Sequence, residues 1–368
     1  MPYPQLDRSR LNIRPLAERE NRVEVEKHFV SPQAEPEGLS TAAKETVLEA
    51  VARIKKARDL GAPVVLAFGA HTIKNGLAPV IQALMRGGWV QHLATNGAGV
   101  IHDWEFAYQG KSSEDVKLNV ARGSFGIWEE TGRYINLAIL VGAYNGLGYG
   151  ESVGRFILEE ELLIPEPGEL IEALAEAGES PAAVERAAAA ADLLKVLQTC
   201  NIAPGGHKVR HPWKQYSLQA AAAEQSVPFT SHPMFGHDII YTHPLNHGGA
   251  IGRTAERDFL SFAETVSNLE NGVYLSVGSA VMSPMIFEKS FSMAQNLAMQ
   301  NGTAIRDHSI FVVDLAENSW DWSQGEPPPD SAAYYLRYCK TFSRMGGTMH
   351  YATADNRDFL LALLHELT

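Results

Sequence analysis

Apolar positions along the chain fall into two recurring patterns: short uninterrupted runs, and longer stripes at helical spacing. The first stripe is Val47, Leu48, Val51 and Ile54; Ser40 or Thr41 caps it and Gly61 ends it. The run "PVVLAF" (63–68) follows, apolar on both faces as a strand inside a parallel sheet requires. Leu77, Val80, Ile81, Leu84 and Met85 mark a second helix, ended by Gly87 and Gly88, and "WVQHLAT" (89–95) a second strand. Further on, the pattern predicts a helix over 127–141, a glycine-rich loop over 142–154 and mostly helix over 164–225. Strands are expected at 227–231, 273–280, 310–314 and 348–353. Helices over 253–269, 283–299, 331–342 and 355–367 complete the alternation.

Strands separated by helices argue for the α/β class, a parallel sheet with helices on both faces. Residues 41–368 read as one domain carrying a helical insertion at about 164–225. Residues 1–40 are rich in proline and charge and hold no period. They read as an N-terminal arm that packs on something else, such as a neighbouring subunit. In such sheets ligands bind beyond the carboxyl ends of the strands. That rule selects the loops at 69–72, 95–99, 231–238, 278–283, 314–317 and 353–355.

Composition narrows the partners. A net charge of −12 argues against nucleic acid and anionic membrane surfaces, which need basic patches. No run approaches the roughly twenty apolar residues of a membrane span, and the first residues hold no apolar leader core. The two cysteines, Cys200 and Cys339, lack the spacing of a metal or redox pair. A cytoplasmic protein with a small-molecule partner is the expectation.

Among the selected loops, "HLATNGAGVIHDWEFAYQG" (92–110) holds the densest chemistry. Asn96, Gly97, Ala98 and Gly99 leave backbone N–H groups open at a helix start, which suits phosphate or ribose or simply tight strand-to-helix packing. His102 and Glu105 are three apart and share a helix face, while Asp103 is rotated away. The two carboxylates either complement the positive end of the helix or serve a site. The dinucleotide fingerprint G-x-G-x-x-G after a strand is absent. His71 and Lys74, in the first strand-end turn, can contact cofactor phosphates or remain solvated.

The stretch Val64–Glu105 resembles the amino-terminal core of the deoxyhypusine synthase family: strand, small-polar turn, helix, second strand and a small-residue turn. The likeness continues at "VPFTSHPMFGHDII" (227–240), "LSVGSAV" (275–281), "PDSAAYY" (329–335) and "YATAD" (351–355). Asn96, Val100, His102, Asp103 and Glu105 also resemble the N-A-L-A-V-H-D-x-E pattern of archaeal-type ornithine cyclodeaminases, with one extra residue. The resemblance implies a deoxyhypusine synthase-like, Rossmann-type fold, NAD as cofactor and a homotetramer with active sites at subunit interfaces. Both families abstract hydride from a carbon that bears nitrogen, which implies a small amine or amino acid as substrate. Residues implied at the cofactor are His71, Thr72, Lys74, Thr95, Asn96, Gly97, Ala98, Gly99, Gly278, Ser279, Asp314 and Asp355. Catalytic candidates are His102, Asp103, Glu105, His237 and Asp238, with His102 or Glu105 as base and Asp103 or Asp238 as the anchor for a cation. The family's nucleophilic lysine has no aligned counterpart, since Lys340 falls about three residues late, and its histidine falls near Pro284. Transfer to a protein lysine is therefore not expected.

The histidines of "SHPMFGHDIIYTHPLNHGG" (231–249) open an alternative. His232, His237, His243 and His247 invite a metal-dependent hydrolase, but Pro244 and the Gly248-Gly249 pair argue against a helical ligand pair, and no metal is expected. A non-catalytic nucleotide-binding relative is the third reading.

Overall fold

Residues 3–368 are described by a computed structural model. Six strands form the central sheet: β1 (Val64–Phe68), β2 (His92–Thr95), β3 (Phe229–Ser231), β4 (Val273–Val277), β5 (Ser309–Asp314) and β6 (Thr348–Thr353). Twelve of the helices matter here: α1 (Thr41–Leu60), α2 (Ala70–Lys74), α3 (Ala78–Arg86), α4 (Gly97–Gln109), α5 (Glu129–Tyr144), α6 (Tyr149–Glu159), α7 (Pro181–Thr199), α8 (Leu218–Glu224), α9 (Gly248–Ser267), α10 (Met282–Gln300), α11 (Arg337–Ser343) and α12 (Asn356–Leu367). Every pairing in the sheet is parallel, and the spatial order is 3-2-1-4-5-6. This is the doubly wound Rossmann order, whose direction reverses between β1 and β4.

Side-chain alternation explains why the sheet needs helices on both faces. Val64, Leu66 and Phe68 of β1 enter one core with α1, α3 and α12. Val65 and Ala67 enter the other, with Phe262 of α9, Phe287 of α10 and Phe342 of α11. A five-residue strand with no polar side chain is stable only when covered on both sides. Local signals set the helix ends. The Ser40 hydroxyl accepts from the Ala43 N–H at 3.1 Å at the start of α1, and Gly61 closes it with φ +68.

Several expectations change. The stretch 142–154 is not a long loop: α5 runs to Tyr144 and α6 begins at Tyr149. Its glycines serve packing. A Cβ on Gly142 would lie 1.8 Å from the Ser152 hydroxyl oxygen, and one on Gly150 would lie 2.2 Å from the Phe229 carbonyl oxygen. The first strand-end turn, 69–72, is largely the start of α2. The 331–342 helix splits into a short turn at Ala332–Tyr335 and α11. The segment 164–225 is interrupted by a strand, Gly205–Lys208, that pairs antiparallel with Glu161–Ile164 across the intervening helices.

The N-terminal segment packs on its own chain. The Arg8 guanidinium donates to the carbonyls of Tyr241 and Asn246, Arg14 bridges to Trp128, and Val23–Glu24 pairs antiparallel with Lys111–Ser112. Among the described residues, no helix is long and apolar enough to cross a membrane.

Candidate functional site

The carboxyl end of β2 leads straight into α4. Asn96 stands at the junction, and its side chain accepts from the Gly99 N–H at 2.9 Å, which starts the helix. The next small residues let other chain segments close in. A Cβ on Gly97 would lie 2.1 Å from the Asp238 carboxylate, and one on Gly99 would lie 2.3 Å from the Thr95 hydroxyl oxygen, which donates to the Phe68 carbonyl. So the loop after β3 lies directly on the first turn of α4, and the two strand ends share one space.

That space is a cavity of about 240 Å³. The wall from α4 carries Ala98, Ile101, His102 and Glu105. The loop after β3 adds His237, Asp238 and Ile239, α2 adds Lys74, and the N-terminal segment adds Arg19. Of the candidates from sequence, the cavity thus gathers Lys74, Ala98, His102, Glu105, His237 and Asp238.

The four ionisable groups that matter differ by what surrounds them. Glu105 is fully buried and accepts four hydrogen bonds. Two come from the Arg19 guanidinium at 2.8 and 2.6 Å, one from Ser112 at 2.6 Å and one from Thr131 at 2.8 Å. Burial alone pushes its carboxyl up, but the charge and hydrogen bonds of Arg19 outweigh that, and its pKa lies below the ordinary value. Of the two candidate bases, Glu105 is instead an ionised anchor for Arg19. His102 is pushed down to about 4 by burial, against the pull of Glu105, so the imidazole is neutral at pH 7. Its Nδ1 lies 2.7 Å from the Ser112 hydroxyl oxygen. Among the described residues Asp238 has no counter-charge. One of its buried oxygens has no hydrogen-bond partner, and burial pushes the group up to about 7.

Asp103 faces the other way and does not line the cavity. It accepts from Ser217 Oγ at 2.6 Å, from the N–H groups of Leu218 and Gln219 at 2.8 and 3.1 Å and from the Gln219 amide at 3.0 Å. Burial raises its pKa against those bonds. It holds the first turn of α8 against α4, and that use replaces the catalytic reading of Asp103.

The remaining candidates lie along the rest of the sheet rim. Gly278 has φ +59, and a Cβ on Gly69 would lie 2.1 Å from its carbonyl oxygen. Thr72 is buried and accepts from Asn356 at 3.3 Å, and a Cβ on Gly278 would lie 2.4 Å from the same Asn356 amide. Gly69, Thr72 and Gly278 therefore meet at the reversal point between β1 and β4. The Ser279 hydroxyl accepts from the Ser283 N–H at 3.2 Å. Asp314 accepts from the Ala316 N–H at 3.1 Å. Asp355 is exposed and caps α12 through the Arg357 N–H at 2.8 Å, and His71 is exposed on α2.

The histidine loop spreads out. Nε2 of His232 meets Thr230 at 3.0 Å, His243 meets Glu129 at 3.2 Å and His247 lies 3.8 Å from Asp192. Among the described residues no three His, Cys, Asp or Glu side chains converge as a metal site would need. The Lys340 ammonium lies 3.4 Å from the Tyr334 ring centre and 3.7 Å from Glu326, and it does not line the cavity. A larger hollow, about 410 Å³, runs along the outer edge of β3 beside Gly148, Arg257 and Asp258. Its charges are already engaged: Arg257 donates to the Ala143 and Leu147 carbonyls, and Asp258 accepts from the Gly150 and Ser231 N–H groups.

Sequence reasoning missed Arg19, Ser112 and Thr131. Arg19 sits in a segment without periodicity, and Ser112 in a strand of two residues. No local pattern marks either. The one available signal was Glu105 itself, because a carboxylate on a helix this apolar needs a cation from elsewhere.

No family model and no curated protein sequence matches the chain. Several solved structures show a distant likeness to the chain. AgrE, in its ternary complex with ornithine and NAD+, is 14% identical with a TM-score of 0.42 over 89% of this chain. A putative LOR/SDH protein of Methanococcus maripaludis S2 is 12% identical with a TM-score of 0.42, covering 92% of this chain and 73% of its own. ArgZ, a cyanobacterial arginine dihydrolase, is 12% identical with a TM-score of 0.40 over 90% of this chain. The chain spans 34% of AgrE and 32% of ArgZ. The Rossmann-type assignment rests on the sheet order itself.

Proposed function

We propose that the protein is an NAD-dependent enzyme that oxidises a small amine or amino acid at the carbon bearing nitrogen. The observation that carries this reading is the cavity over the carboxyl ends of β2 and β3 in a 3-2-1-4-5-6 sheet. A neutral His102, Lys74 and an unpartnered Asp238 all line it.

The residues at the reversal point fit a dinucleotide in one respect. Gly69 lies so close to Gly278 that a Cβ on it would sit 2.1 Å from the Gly278 carbonyl oxygen, and a Cβ on Gly278 would meet the Asn356 amide. In another respect they depart. The carboxylate that such folds place after the second strand is here Asn96, which is used as a helix cap. Gly69, Gly278, Ser279 and Asp314 are the residues that would hold the cofactor. Bound there, NAD supplies a two-electron acceptor for the carbon bearing nitrogen.

The chain's own groups do the rest. Asp238, ionised by the approach of a substrate ammonium, anchors that cation; desolvation without a partner is what its unbound state suffers. His102 takes the ammonium proton at Nε2 and so frees the nitrogen lone pair. The Lys74 ammonium attracts a carboxylate where the substrate has one. In this reading the protein is a cytoplasmic relative of the deoxyhypusine synthase superfamily. It is a homotetramer with sites at subunit interfaces, and not itself a deoxyhypusine synthase. Support for a covered rim comes from apolar side chains exposed there, Phe235 at 63%, Val281 at 60% and Leu315 at 69%.

Calorimetric titration of the full chain with NAD and NADP tests the cofactor. Saturable binding of one of them, followed by reduced-nicotinamide absorbance with a member of an amine and amino-acid panel, is expected. Binding of neither ends the proposal.

A further inference from the structure

His102 is not left to choose its tautomer. Its Nδ1 lies 2.7 Å from the Ser112 hydroxyl oxygen, and that hydroxyl lies 2.6 Å from Glu105 Oε2. Glu105 is an acceptor only, because it is ionised against Arg19. The single hydroxyl hydrogen of Ser112 is therefore spent on Glu105. What Ser112 can offer His102 is a lone pair, so the imidazole must donate from Nδ1. In a neutral ring the second nitrogen, Nε2, then carries no proton. Among the described residues no hydrogen bond engages it, and the His102 ring forms part of the cavity wall.

We propose that Arg19, Glu105 and Ser112 are positioning residues, a hydrogen-bonded chain that fixes His102 in the Nδ1–H tautomer and presents a bare, unprotonated Nε2 to the cavity. Two features make the chain directional. Arg19 cannot give up its proton, and its Nε is tied to Asn21 at 2.9 Å, so its fork is held against Glu105. Thr131 donates to Glu105 Oε1, which leaves Oε2 to Arg19 and Ser112. The antiparallel pairing of Val23–Glu24 with Lys111–Ser112 sets the distance, because it joins the segment that carries Arg19 to the strand that carries Ser112. Burial, which keeps the imidazole neutral, makes the tautomer a meaningful state across the physiological range.

The importance of a bare Nε2 for proton abstraction rests on the proposed function, but the tautomer does not. It is read on the free full-length chain with no cofactor or substrate, so failure of NAD binding leaves the test intact. The thirteen histidines are labelled with ¹⁵N, and His102 is assigned from the resonances missing in His102→Gln. At pH 7 the wild type is expected to show a protonated Nδ1 and a non-protonated Nε2. Ser112→Ala should lose that preference and show mixed or Nε2-protonated ring signals, and Ser112→Thr, which keeps a hydroxyl, should restore it. Thr131→Val, which leaves the Ser112 link in place, should keep the wild-type tautomer and serves as the folding control for a lost Glu105 contact. An Nε2-protonated or doubly protonated ring in the wild type, or a tautomer unmoved in Ser112→Ala, overturns the proposal.

Discussion

Two regions of the sheet rim are built in opposite ways. Over β2 and β3 the site is made of groups that require partners: Arg19 with Glu105, Ser112 with both Glu105 and His102, and an Asp238 that has none. Over β1 and β4 it is made of side chains that are missing. Gly69 and Gly278 bring two backbones together, and nothing charged lies between them. The first region is specified by electrostatics in a dry place, where an unmatched charge is costly. The second is specified by sterics, where one methyl group is enough to force the strand ends apart. The same fold edge therefore has one half that fails when a group is removed and one half that fails when a group is added.

The sharpest way to break this contrast is Arg19→Met. It leaves the Glu105 charge buried with no cation, and a loss of about 3–5 kcal/mol in unfolding free energy is expected. Urea denaturation measures it, and a loss under about 1 kcal/mol would mean that water or another cation reaches Glu105. Next comes Gly69→Ala. Its Cβ would lie 2.1 Å from the Gly278 carbonyl oxygen, a backbone atom that cannot swing aside. The expected cost is about 1–3 kcal/mol, with NAD affinity reduced more than amine affinity in calorimetry. Equal losses for both ligands would erase the distinction between the regions.

The gentlest probe is the pH dependence of Asp238. Its folded pKa is raised to about 7 from an ordinary 3.8 by burial. The folded state therefore favours the neutral form. Its contribution to stability is complete below about pH 4, declines as pH rises, and is gone once pH passes about 7. Asp238→Asn should flatten the unfolding midpoint across that window with little change near pH 4. A profile that keeps the wild-type slope would assign the slope to another group. The same variant should weaken amine binding, which a stability effect alone does not produce.

Much of the architecture was legible from periodicity. The strand at 348–353 and the ends of α1 follow from runs, caps and stops whose physics is local. The glycine-rich stretch 142–154 was not legible, because glycine signals a turn and a close helix contact with the same letter, and only the position of Ser152 and Phe229 separates the two. Within the site, the shared face of His102 and Glu105 follows from a spacing of three. The role of Asp103 depends on Ser217, Leu218 and Gln219, more than a hundred residues away, and no window of sequence contains both.

By itself the sequence determined the alternation of strands and helices, the loops at the strand ends and the residue types available there. These follow from side-chain periodicity and backbone preference, which act over a few residues. Only the tertiary structure decided which carboxylate is an anchor, which is a cap and which is left without a partner. Glu105, Asp103 and Asp238 are the same functional group, and their differences come from burial and from what the fold brings within about 3 Å. A guanidinium delivered from residue 19 to residue 105 is a long-range event, and the local pattern of neither segment encodes it.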